Sequence, residues 1–477
     1  MSSNVEGLFD LRSLGINIYC DTEEKISSVL AYKDGTSNFF FPISTIYDSL
    51  ELRRNTTYWH ECRHFHDHLL SPYLNYLYRM RLLGVLHATQ FVNGWNNQNY
   101  FNTIPVPLTK WIKKTEKAKK EFLLSKQKEI VLIAPAFEIF DNGNSQELIS
   151  KIQMGMAKDY LSRLIGYACA HYNEYHSLHK KIYDQYRREF SIHSLMEASA
   201  IIVQTFAIQK LYGYDCYRQR YEELKKWLFG EKDHTCFNGY NSVLSVLNSY
   251  LGKELGYKFS DFLTYSSYVI QWCFWGNILE GGNNANPLFR LNKFENYRLA
   301  DSVSLDGLIN DPIAVFDYWD KSIGSTKLNL RNYVEWQDSI FNQLIDNFNH
   351  TGNNDMSEFC QRLSAASMIM LNKYFEKPSK YISPSLYLSH LNDFVNIPVR
   401  FIKSNSSDII WDERHIDNPV ESHSSSLDRN LCVLKNMHNQ CSCYFDISDA
   451  LFGDRLITNP GSIIQNALKG SKTFMIW

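Results

Sequence analysis

Proline is scarce in this chain, 12 in 477 residues, while tyrosine and phenylalanine are abundant at 30 and 29. With few fixed backbone kinks, long helices joined by polar, Asn-rich loops are expected. Neither sign of charge prevails: 49 Lys and Arg face 51 Asp and Glu, leaving a formal net charge of -2. That balance gives no electrostatic footprint for nucleic acid or for an anionic membrane surface. Long apolar runs are missing too. The best transmembrane candidate, Phe262 to Leu279, carries Thr264, Ser266, Ser267, Gln271 and Asn277, so it reads as a buried helix rather than a lipid-spanning one. Met1 to Asp10 lacks a basic start followed by an apolar run, so no export is expected. The 10 cysteines then read as reduced thiols of a cytoplasmic chain rather than a disulfide framework. There is no Gly-rich phosphate loop and no internal repeat; Gly281-Gly282-Asn283-Asn284 reads as a turn.

What remains is the composition of a folded protein, 44% hydrophobic and 21% charged, and a length that calls for two or three packed units. The expected class is mainly α with a small β-rich N-terminal part (α+β). Short β-branched or aromatic runs at Ile16 to Tyr19, Ser28 to Tyr32 and Asn38 to Phe41, with turn chemistry at Lys33 to Thr36, suggest a hairpin or small sheet. From Thr57 the pattern is helical. Thr56 or Thr57 serves as N-cap of a helix from near Tyr58 to about Leu70, which Ser71-Pro72 ends or kinks. Lys110 to Glu129 reads as a solvated surface helix and Ser191 to Tyr212 as one apolar nearly all round, hence buried. Further helical patterns cover Tyr217 to Leu228, Ser242 to Leu251, Asn329 to Phe348 and Ser357 to Phe375. Four successive regions are expected: a β-rich segment over 1–55, a helical catalytic domain over 56–230, a helical domain over 231–378, and a mixed C-terminal region with a polar loop over 379–477.

The informative segment is Thr57-Tyr58-Trp59-His60-Glu61-Cys62-Arg63-His64-Phe65-His66-Asp67-His68. Residues i and i+4 of a helix share a face, so His60 and His64 can offer their imidazoles to one metal ion. Glu61 sits beside them, turned so that its carboxylate can reach a water on that ion. The competing reading is a histidine-rich solvated face, since His66 and His68 prolong the run outside the motif.

A catalytic zinc takes three protein ligands and leaves one position open. Glu197 is the leading third ligand, because it is the only acidic residue in the apolar stretch from Phe190 to Lys210. A buried carboxylate needs a partner; a metal is one, and Arg63 or His193 is the bland alternative. Ala198, Ser199 and Ala200 are small enough to let this helix approach the first closely. Asp67 shares the face of His60 and His64, either as a ligand or as an acceptor orienting an imidazole N–H. Glu138 and Asp141 are weaker candidates. His171, Tyr172, His176 and His179 form a polar-aromatic cluster upstream of Glu197 that offers candidates for an oxyanion donor, with surface histidines as the blander reading. Cys432, His438, Cys441 and Cys443 contain enough ligands for a structural zinc, but their C-x-C spacing favours free thiols.

His-Glu-x-x-His on one helix, with a glutamate flanked by small residues on a later one, resembles the gluzincin group of zinc metallopeptidases. The resemblance covers the two motif helices only. It implies a zincin-like helical catalytic core, Zn2+ held by His60, His64 and Glu197, Glu61 as general base, and an insertion of roughly Leu82 to Ser150 between the motifs. Ile201 stands where the group often has an acidic residue four positions after the ligand glutamate. The expected function is a cytoplasmic zinc peptidase acting on a protein or peptide. Its specificity would be restricted, or a regulatory protein partner would hold it in check, and a bacterial defence or toxin-type protease is one such case. Hydrolysis of a non-peptide amide or ester would use the same residues. The alternative from another class is a non-catalytic helical interaction scaffold with a structural metal or none.

Overall fold

The computed structural model describes residues 7–10, 14–19, 49–96, 103–106, 158–183, 189–229, 242–395, 399–402, 409–412, 445, 448–449, 451–452 and 473–476. These are mainly α. The helices are α1 (Ser49–Leu70), α2 (Pro72–Asn96), α3 (Lys158–His176), α4 (Ile192–Phe229), α5 (Ser242–Leu247), α6 (Phe259–Phe274) and α7 (Pro287–Asn296). Then follow α8 (Leu305–Asn310), α9 (Pro312–Ser322), α10 (Leu330–His350), α11 (Asn354–Glu376), α12 (Pro378–Ile382) and α13 (Pro384–Ser389). Two compact units are drawn from separated stretches: Met1–Tyr76, Leu178–Ile340 and Gln361–Asn436 form the first, and Leu77–Ser177, Phe341–Cys360 and Met437–Trp477 the second.

In the first unit, α1 begins at Ser49, well before Thr56 and Thr57, which are therefore helix interior and not caps. Their hydroxyls find acceptors inside the helix: Thr56 Oγ1 donates to the Leu52 carbonyl at 2.6 Å and Thr57 Oγ1 to that of Arg53 at 2.9 Å. This backward bonding frees both residues from the capping role their type suggests. At the other end Pro72 opens α2, and having no N–H it leaves the His68 carbonyl without its usual donor. Asn75 Nδ2 covers that end of the helix, reaching the carbonyls of His68 at 3.4 Å and Leu69 at 3.2 Å, while Ser367 Oγ adds a bond to Leu69 at 2.7 Å.

Helix α4 packs along α1, and α6 and α13 pack on α4 in turn. Ala198, Ser199 and Ala200 are all buried. The expected break between two helical stretches falls at Gly213, whose φ of 83° only glycine adopts at low cost. Residues Phe262 to Phe274 of α6 are buried except Thr264, and among the described residues no helix is long and apolar enough to cross a membrane. Gly281 and Gly282 both take positive φ, in keeping with the expected turn.

Strand β1 (Gly7–Asp10) pairs antiparallel with β2 (Gly15–Tyr19), where a strand is expected at Ile16 to Tyr19. The partner on the far side of β2 is distant in sequence: β6 (Val399–Ile402), parallel, which pairs antiparallel with β7 (Ile409–Asp412). Both β1 and β2 lie against α1. Two residues each of Ile182–Tyr183 (β4) and Glu189–Phe190 (β5) form a small ladder leading into α4. In the second unit, β3 (Thr103–Val106) pairs with β8 (Thr473–Ile476) in parallel. Arg81 is buried there, bonded to the carboxylate of Asp449 and to the Phe445 carbonyl at 3.2 Å. The runs Ser28 to Tyr32 and Asn38 to Phe41, the Lys33 to Thr36 turn and Lys110 to Glu129 lie outside the described residues, as does most of the polar stretch Lys403 to Arg429.

His66 and His68 are buried, so the motif helix has no solvated histidine face. His66 Nε2–H donates to the Val395 carbonyl at 3.0 Å, and Nδ1 accepts from the Tyr387 hydroxyl at 2.7 Å. His68 Nδ1–H donates to the His64 carbonyl at 2.9 Å. Burial pushes both imidazoles down to about 4. In the unfolded chain they titrate near 6.5, so between these values the unfolded state binds more protons. Their stability contribution is complete above pH 6.5 and is lost as pH falls towards 4. Two protons give a slope of about 2.7 kcal/mol per pH unit in that window. Urea unfolding between pH 7.5 and 4.5 measures it. His66→Gln keeps a donor and an acceptor without titrating and should remove roughly half of the slope; an unchanged slope would contradict the assignment.

Candidate metal centre

Three side chains converge between α1 and α4: His60, His64 and Glu197 each bring a ligand atom to within 4.8 Å of the others. The two histidines are one helical turn apart, their Nε2 atoms 3.2 Å from each other. Glu197 meets them from α4, with Oε2 3.2 Å from His60 Nε2 and Oε1 3.4 Å from His64 Nε2. A tetrahedral zinc with bonds of about 2.0–2.2 Å holds its ligand atoms about 3.3–3.6 Å apart. The His60–His64 separation of 3.2 Å and the Glu197 Oε2–His60 separation of 3.2 Å lie close to that spacing, and the donor set of two imidazoles and a carboxylate suits zinc chemistry. The residues present therefore fit the ion.

Electrostatics bind the three together. Burial alone would raise Glu197, but His64 and His60 outweigh it and hold the carboxyl well below its usual range. Burial, the largest single influence, would lower His64, but the carboxylates of Glu197, Glu61 and Asp67 together outweigh it and raise the imidazole above 6.5. A metal ion at the same point would take the place of a proton as the cation opposite Glu197. The Nδ1 atoms of His60 and His64 have no hydrogen-bond partner among the described residues.

Glu61 is buried next to His60. Burial is the main influence on its carboxyl and raises it, against the downward pull of His60 and His64. The Phe9 backbone N–H reaches the carboxylate from β1. That approach needs glycine two positions earlier: a Cβ on Gly7 would run into Thr57 Cγ2 and stand 3.2 Å from Glu61 Oε1. The Phe9 ring covers the helix further along, with centroids 4.9 Å from His68 and 6.0 Å from His64.

Asp67 is not part of the convergent group. Its Oδ1 accepts from the Tyr381 hydroxyl at 2.5 Å, from Gln271 Nε2 at 3.0 Å and from Arg63 Nε at 3.2 Å. Arg63 is fully buried, donates to Ser199 Oγ at 2.9 Å and to the Tyr381 carbonyl at 2.8 Å, and stacks on the Tyr381 ring at 4.3 Å. The buried ion pair within α1 is thus Arg63–Asp67. Cys62, inside the motif, is buried.

His193, which the sequence offers as an alternative partner of Glu197, does lie beside that carboxylate. It stands four residues before Glu197 with Nε2 3.5 Å from Glu197 Oε1, and its ring centroid is 5.2 Å from that of His179. Of the polar-aromatic cluster upstream, His179 belongs to the first unit; in the second, His171 stacks on His87 at 5.3 Å and Tyr172 contacts His176 at 4.0 Å. Glu138, Asp141, Cys432, His438, Cys441 and Cys443 lie outside the described residues. No protein-family model matches the chain, and comparison with curated proteins and with solved structures likewise finds no match.

Proposed function

We propose that the chain is a zinc-dependent peptidase with a zincin-like core of the gluzincin type. In this reading Zn2+ is held by His60, His64 and Glu197. What supports it most is one observation: His60 and His64 of one helix and Glu197 of another, far apart in sequence, bring one ligand atom each to within 4.8 Å of the others. When bound, zinc supplies a water acidified towards neutrality and an electrophile for a carbonyl. The other tasks fall to the chain. Glu61 takes the proton of the attacking water and passes it to the leaving amine. Its burial favours proton uptake, and the Phe9 N–H keeps the carboxylate in place. The substrate is a protein or peptide, the compartment is the cytoplasm, and a regulatory protein partner restrains the activity.

The deciding experiment is the zinc content of purified protein by elemental mass spectrometry. The parent should hold about one zinc per chain, and His60→Ala, His64→Ala and Glu197→Ala should each hold almost none, because a site of two remaining ligands binds far more weakly. Asp67→Ala should keep the metal, as its Oδ1 faces Arg63, Gln271 and Tyr381. A parent without metal after purification free of chelators sinks the hydrolase reading and leaves a helical interaction scaffold. Loss of zinc in Asp67→Ala with retention in Glu197→Ala would move the third ligand to α1.

A further inference from the structure

A carboxylate ligand has two oxygens, and something must decide which one faces the ion. Glu197 has an imidazole near each: His60 Nε2 is 3.2 Å from Oε2, and His193 Nε2 is 3.5 Å from Oε1. His64 Nε2 is also 3.4 Å from Oε1. His193 and Glu197 are four apart on α4, so their side chains lie one above the other on the face that meets α1. His193 is not a third imidazole of the convergent group, which comprises His60, His64 and Glu197 alone among the described residues. It sits further out, its side chain 31% exposed against 10% for Glu197. His179 packs against its ring from outside α4. A carboxylate only accepts hydrogen bonds, so the tautomer of His193 that suits this place carries its proton on Nε2.

We propose that His193 is the positioning residue of the metal centre: it donates Nε2–H to Glu197 Oε1 and leaves Oε2 as the single oxygen presented to the ion. The inference rests on the zinc reading above. It also supplies what the group's usual acidic neighbour would have supplied from the position of Ile201, a partner that orients a ligand, but here the ligand oriented is the carboxylate and the partner is one turn before it. Partners of this kind typically change metal affinity by about 10–100-fold when removed.

The test uses the full-length chain and two readouts independent of catalysis: zinc affinity by competition with a chromophoric chelator, and the visible spectrum of the cobalt(II)-loaded protein. His193→Ala should still bind one equivalent at saturation but about 10–100-fold more weakly. Its cobalt bands should weaken and shift as the freed carboxylate turns to grip the ion with both oxygens. His193→Gln, whose amide can donate to Oε1, should return affinity to within a few-fold of the parent and restore the parental spectrum. Equal affinity and spectrum in parent and His193→Ala overturn the proposal. So does total loss of metal in both variants, which would make His193 a ligand. A parent that binds neither zinc nor cobalt is a different failure, that of the metal reading itself, and is seen before any variant is compared.

Discussion

Glu61→Gln should retain about one zinc per chain while cleavage falls by about 10²–10⁴-fold, the range general-base removal commonly spans. Substitution by glutamine is nearly isosteric, and the amide oxygen can still accept the Phe9 N–H that now holds the carboxylate. Neither His60 nor His64 needs to move, so the metal set is undisturbed and only proton uptake is lost. Because the substrate is open, cleavage is best read on a proteome-derived peptide library by mass spectrometry, with metal content measured on the same samples. Cleavage by the parent that disappears in Glu61→Gln at constant zinc supports the peptidase reading. Undiminished cleavage in the variant would place the base elsewhere. If the zinc-loaded parent cleaves nothing and the two proteins are indistinguishable, the same helix pair is a structural metal clip in a scaffold.

How much of this could be read beforehand depends on how local the cause is. The pairing of His60 with His64 follows from helical period alone, and Glu197 stands out because a lone acid in an apolar helix demands a partner. The expected buried character of Ser191 to Tyr212, and the interruption at Gly213, are likewise properties of short windows. Three features were not local. The start of α1 was misplaced because threonine beside an apolar run signals a cap, whereas here both hydroxyls bond backward within a longer helix. His66 and His68 look like surface residues by type, yet Tyr387 and Val395, distant in sequence, supply what one of them needs to be buried. The strand β2 was legible, but its partner β6 was not, since nothing in either segment specifies a parallel pairing across most of the chain. His193 was visible only as a bland partner for Glu197; the four-residue spacing between them was the available signal.

The same non-local logic gives the second large effect. Asp67→Ala should destabilise the protein by about 3–5 kcal/mol, the cost of leaving one member of a buried ion pair alone. Both side chains are wholly buried, and the Asp67 carboxylate meets the Arg63 guanidinium with Nε to Oδ1 at 3.2 Å. Removing it also takes the acceptor from the Tyr381 hydroxyl and the shorter of two acceptors from the Gln271 amide. The arginine cannot escape by losing its proton, and its remaining bonds to Ser199 and the Tyr381 carbonyl do not neutralise it. Denaturant unfolding of the zinc-free protein reads the loss without contribution from the metal. The double variant Arg63→Met, Asp67→Leu then separates two causes. If the penalty is an uncompensated charge, the apolar pair should recover most of it, because matched hydrophobic replacement of a buried pair is often neutral or better. If the double variant is as unstable as Asp67→Ala, the value of the pair lies in the bonds that tie α1 to α4, α6 and α12 through Ser199, Gln271 and Tyr381. In that case zinc affinity should fall in parallel with stability, since those ties set the distance between the helix bearing His60 and His64 and the helix bearing Glu197.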